Sequence, residues 1–205
     1  MSLSRLPIVL VMLGLSINIS AQVQRRAYVP KLDARCDYGP PLTTLEDFDW
    51  RMQTVIVRGS TLIQTVTGRN GIVTVDALEV RDESQGSRAL GVVITMREAN
   101  RDDPNKLNEA NRSYIDYDEI DAVTRAWDQV AKTDDTITKL NNFESRYRTK
   151  GDFEIVVFRQ TPGGAVAASI SGGYCERARI LLSLDDLIKL RHIVVEAKKR
   201  LDEIR

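Results

Sequence analysis

The chain has 205 residues, with 29 basic and 29 acidic side chains, one histidine and two cysteines. Zero formal net charge excludes a global attraction to nucleic acid or to an anionic membrane, so a charged ligand needs a local patch. A single histidine excludes His-rich metal centres, and two cysteines allow at most one disulfide within the chain.

In chain order, the first feature is Arg5 followed by the apolar run LPIVLVMLGLSINI, which ends at SAQVQRR. A short positive region, an apolar core of about 12 residues and a small residue before the polar chain predict a secretory signal peptide over 1–21. Cleavage after Ala21 leaves 205 − 21 = 184 residues, enough for one domain or two small ones. The expected location is periplasmic or secreted, with no membrane span in the mature chain. Cys36 in DARCDYG and Cys175 in GGYCERA either bridge in that oxidising compartment or remain free thiols. Neither has a CxxC spacing, so no metal site is expected from them.

Residues 22–50 hold three of the six prolines and show no period, which predicts an extended arm. A first unit then runs over 51–135. Its strands are expected at MQTVIVR (52–58), TLIQTVT (61–67), IVTVDALEV (72–80) and RALGVVITM (88–96), separated by GS, GRNG and ESQGS. The alternation in the third run slips phase near Asp76–Ala77, which suggests a β-bulge. A polar loop over 98–112 leads to SYIDYDEIDAVTRAWDQVAK (113–132), whose apolar residues recur at helical spacing.

A second unit, 136–205, repeats the order. Strands are expected at 136–149, 152–158, 164–170 and 177–183, then a helix over 184–204. The fold class is therefore α+β, with two ββββα pseudo-repeats and each antiparallel sheet covered by one amphipathic helix.

Asp116, Asp118, Glu119 and Asp121 crowd the start of the first helix. Asp116 with Glu119, and Ser183 with Asp186, have the spacing of a helix cap and its reciprocal partner. First-turn carboxylates also complement the helix dipole. DYDEID lacks the glycine and the ligand spacing of a calcium loop. His192 sits mid-helix beside Arg191, and no G-x-S-x-G elbow accompanies it. TPGGA and SGGYC read as hairpin turns rather than phosphate cradles.

One segment, NNFESRYRTKGDF, carries a binding signal. As a strand it places Phe143, Ser145 and Tyr147 on one face and Arg146, Arg148 and Lys150 on the other. Rings and cations on a sheet suit stacked bases and phosphates. The structural alternative puts Phe143 and Tyr147 beneath a helix and leaves the cations in solvent.

SYIDYDEIDAV, NNFESRYRTKGDFEIVVF and the closing LSLDDLIKLRHIVVEAKKRLD resemble segments of an uncharacterised exported bacterial family, over about residues 90–205. The twofold ββββα order is similar to the Whirly and PUR type of single-stranded nucleic-acid-binding architecture. That resemblance implies a sheet-face binder. The chain has no counterpart of the Whirly KGKAAL motif, and no site residue is carried across.

The expected function is an exported, non-catalytic binding or structural module whose partner is a protein or a polyanion, with no cofactor and no metal. One alternative is single-stranded nucleic-acid or polyanion binding through Phe143, Arg146, Tyr147, Arg148 and Lys150. Another is a carboxylate-dependent hydrolase that uses Asp118.

Overall fold

Valine, isoleucine and threonine runs broken by short polar turns pair locally, and they do so twice. The computed structural model describes residues 41–134, 136–159, 164–173 and 177–205. The segment 1–21 and both cysteines, Cys36 and Cys175, lie outside the described residues. Strands β1 (Ile56–Gly68), β2 (Gly71–Asp82), β3 (Ser87–Glu98) and β4 (Asn111–Asp116) form one antiparallel sheet in that order. A 3-10 turn at Tyr117–Glu119 leads into α2 (Ile120–Ala131). Strands β5 (Phe143–Arg148), β6 (Glu154–Arg159), β7 (Ala167–Gly172) and β8 (Ala178–Leu182) form the second sheet, followed by α3 (Leu184–Asp202). The α+β class and the doubled sheet-then-helix order are as expected.

Several local readings change. The runs 52–58 and 61–67 belong to one strand, β1, because its partner β2 is long enough to pair from Ile56↔Asp82 to Gly68↔Gly71. Gly59 and Ser60 stay in the ladder, opposite Glu79 and Leu78. The fourth strand is instead β4, inside the segment read as the start of a helix. The arm over 22–50 also contains a helix, α1 (Thr44–Trp50), closed by a reciprocal capping box between Thr43 and Glu46.

The bulge lies on β1, where Ile63 is extra between Leu62↔Asp76 and Gln64↔Val75. The phase slip in β2 has another cause. Ala77 and Leu78 are both buried, on opposite faces, since α1 packs Leu45 and Phe48 onto Leu78, Val80, Ala89, Val93 and Tyr114.

On the inner faces the helical roofs are exchanged. Helix α2 packs on β5 and β6 of the second sheet, whereas α3 packs chiefly on β1, β2 and β3 of the first and also touches β7 and β8. Val75, Ile94 and Ile115 from the first sheet, Ile155, Ile170 and Ile180 from the second, and Trp127, Leu190 and Val194 from the helices share one core. Trp127 is fully buried, with its ring centroid 5.7 Å from that of Phe153.

The sheets are also joined at an edge. Asn70, in the β1–β2 turn, donates from Nδ2 to the Arg179 carbonyl (2.7 Å) and accepts from the Leu181 N–H at Oδ1 (2.8 Å). The Arg69 N–H donates to the Leu181 carbonyl (2.9 Å). One turn thus satisfies the outward-pointing groups of edge strand β8 and blocks its pairing with another chain.

Candidate functional site

The crowded carboxylates at 116–121 disperse into separate structural duties. Asp116 does not cap α2: its side chain makes no cap hydrogen bond there. Its carboxylate accepts instead from the Thr44 N–H (2.8 Å) and the Leu45 N–H (3.1 Å), two otherwise unpaired donors of the first turn of α1. Glu119 accepts from the Lys150 N–H at 3.0 Å, while its second oxygen is buried without a partner. Burial raises the proton affinity of this carboxyl above the usual range, opposed by the Lys150 N–H. Asp121 is exposed, 3.9 Å from Lys198. Asp118 is exposed at the turn itself. At the other helix the expected cap is present, with Ser183 Oγ accepting from the Asp186 N–H at 3.0 Å. Among the described residues no three His, Cys, Asp or Glu side chains form a metal-holding group, and His192 lies exposed on α3.

The basic-aromatic segment forms β5, and its alternation splits the set across the sheet. Phe143 and Tyr147 turn inward against the common core. Burial accordingly raises the Tyr147 phenol above its ordinary range, with Glu119 adding to the effect. Arg146 and Arg148 point outward, and Lys150 is exposed in the turn that follows.

On the outward face the ladder places Arg148 beside Glu154, then Ser171, then Arg179. The next row runs Arg146, Val156, Ser169 and Leu181, and the next Glu144, Phe158 and Ala167. Strand spacing sets the two ends of the first row about 14 Å apart. Strand β7 therefore presents only Ala167, Ser169 and Ser171 outward, between arginine-bearing strands. The result is a shallow trough between arginines, in which Arg177 and Arg179 lie over the nearly inaccessible Ser171 and Ser169. On its β8 side a hollow of about 340 Å³ is lined by Arg69, Phe158, Ala167, Arg179 and Leu181.

The wall cations differ in how firmly they are neutralised. Arg148 and Arg177 both pair with Asp152. Arg177 also donates to Ser171 Oγ at 3.1 Å. Arg146 lies 3.7 Å from Glu144. Arg179 donates to Ser169 Oγ at 3.3 Å, and neither it nor Arg69 makes an ion pair with a described carboxylate. Sequence periodicity indicated the outward direction of Arg146 and Arg148. It gave no hint of Arg69, Phe158 or Arg179, which the β1–β2 turn and the edge of the second sheet bring to the same place.

No family model matches the chain, and no curated protein or solved structure shows detectable similarity to it.

Proposed function

We propose that this protein is a non-catalytic binding module, exported by its leader, that holds an acidic polymer along the outer face of its second sheet. The observation that carries this reading is the trough over β7. Arg146 and Arg148 stand on one side of β7, and Arg69 and Arg179 stand on the other with no carboxylate partner among the described residues. A polyanion gains from such an arrangement because each phosphate or sulfate that meets a free guanidinium releases a counterion. Phe158 offers an apolar surface at one end. Phe143 and Tyr147, being inside, are not part of the contact surface, so the reading rests on charge rather than on rings stacked by those two residues. The neutral overall charge fits a ligand held locally and weakly.

The test uses heparin and an oligo(dT) strand as probes, with binding followed by fluorescence anisotropy at several salt concentrations. Binding that falls with salt is expected. In the double variant R69E/R179E the slope of log affinity against log salt should shrink by about 1.5–2, since two contacts are lost. Equal binding by this variant and the parent, or no binding of either probe at low salt, overturns the proposal. A preference for one polymer identifies which acidic chain fits the trough.

A further inference from the structure

The first sheet carries a second, unrelated groove on its own outer face. It borders the part that α1 covers and has a volume of about 290 Å³. Ser60 and Thr95 line it with hydroxyls, and Leu78 and Val93, nearly inaccessible beneath α1, close one side. Asp76, Arg112 and Arg58 also line it.

These charges are arranged in an unusual way. Asp76 pairs across the ladder with Val93, whereas Arg112, two strands away, pairs with Thr95. Two strand spacings and one two-residue step put their Cα atoms about 12 Å apart. The two side chains form no ion pair with each other, and no described group donates a hydrogen bond to Asp76. Partial burial pushes the Asp76 carboxyl above its ordinary range, with Arg112 acting in the opposite direction. Arg58 cannot neutralise it, because its guanidinium is held by Asp49 at 2.8 Å. The groove thus holds one anionic and one cationic group, not paired with each other, beside two hydroxyls.

We propose that this groove binds a zwitterionic small molecule of dipeptide size, with its ammonium group at Asp76 and its carboxylate at Arg112. A simple anion meets Asp76 at one end, and a simple cation meets Arg112 at the other. Only a ligand with both charges, separated along its length, satisfies both. Thr95 and Ser60 can bond to the amide between them.

Glycylglycine is the probe, titrated into the full chain while the backbone amide spectrum is recorded. Saturable shifts are expected at Asp76, Thr95 and Arg112. N-acetyl-glycylglycine, which lacks the ammonium, and glycylglycinamide, which lacks the carboxylate, should each bind at least about tenfold more weakly, as one charge-assisted bond is lost. D76N and R112Q should lose the same factor while the rest of the spectrum confirms the fold. Absence of shifts at millimolar probe overturns the proposal. So does equal binding by either blocked analogue, since that would make the groove a plain anion or cation site. R69E/R179E, at the other sheet, should leave glycylglycine binding unchanged, which separates this site from the trough.

Discussion

At the scale of single residues, the most fully engaged carboxylate among the described residues is Asp82, at the end of β2. It accepts from Thr54 Oγ1 (2.5 Å), from the Ser84 and Gln85 N–H groups (3.0 and 3.1 Å), and from Arg51 (3.0 Å). Its side chain is inaccessible to solvent. These donors, led by the Thr54 hydroxyl, hold its proton affinity below the ordinary carboxylate range, although burial acts against them. A folded-state value below the unfolded one means that the unfolded chain binds more protons in the interval between the two. Asp82 thus stabilises fully above the unfolded value of about 3.9, and that contribution is lost as pH falls through the folded value. Urea midpoints measured from pH 6 downward should therefore drop on acidification, and the Asp82→Asn variant should show a lower midpoint at pH 6 with a shallower acid slope. Nothing in the sequence marked Asp82 as different from its exposed neighbour Glu83. Its role depends on Arg51 and Thr54, about 30 positions earlier, and a one-dimensional pattern does not contain that meeting.

At the scale of elements, edge strand β8 depends on a side chain imitating a strand. Asn70 offers an amide and a carbonyl to β8 as a neighbouring backbone would. Asn70→Ala should cost about 1–2 kcal/mol, because two hydrogen bonds are exchanged for water at a partly exposed edge. Hydrogen exchange at the Leu181 amide should speed up more than at the central strand residues Val156 or Ile170. Equal exchange rates in parent and variant would show that the turn is not the clamp.

The same scale shows where sequence reading succeeds and where it stops. Runs bounded by glycine-rich turns located β2, β3, β6, β7 and β8 within a few residues, because alternation and turn chemistry are local properties. Gly59–Ser60 was misleading, since a two-residue polar break has turn composition whether or not the chain turns. Tyr114–Asp116 was misleading in the opposite sense. Its apolar residues fit a helical stripe that continues into Ile120 and Val123, and only pairing with Gly91–Val93 makes it a strand. On the outer face of the second sheet, alternation indicated the direction of Arg146 and Arg148, but Arg69, from the distant β1–β2 turn, joins the hollow beside β8.

At the scale of the whole molecule, the exchange of roofs rules out independent halves. Residues 51–135 without α3 would leave Val73, Val75 and Ile94 of the first sheet bare, although these residues are now almost inaccessible. Burying each such side chain is worth about 1.5–3 kcal/mol, so an isolated half loses its main driving force. Urea unfolding of the intact chain should be one cooperative transition, with fluorescence of the buried Trp127 and far-UV circular dichroism changing together. Separately expressed halves should lack a cooperative transition, and mixing them should restore it. Two transitions in the intact chain would contradict a common core. The amphipathic stripes of both helices were readable, but a stripe states only that some sheet is covered. Which sheet it covers depends on the path of the chain.

The exchange also sets a timetable for biosynthesis. The first sheet waits for residues 184–202 to leave the ribosome before its inner surface can be sealed, even though its own strands emerged long before. A nascent chain therefore stays open until translation has passed nearly every residue of both sheets. Premature stops anywhere in the second half should consequently be as damaging as loss of the first half.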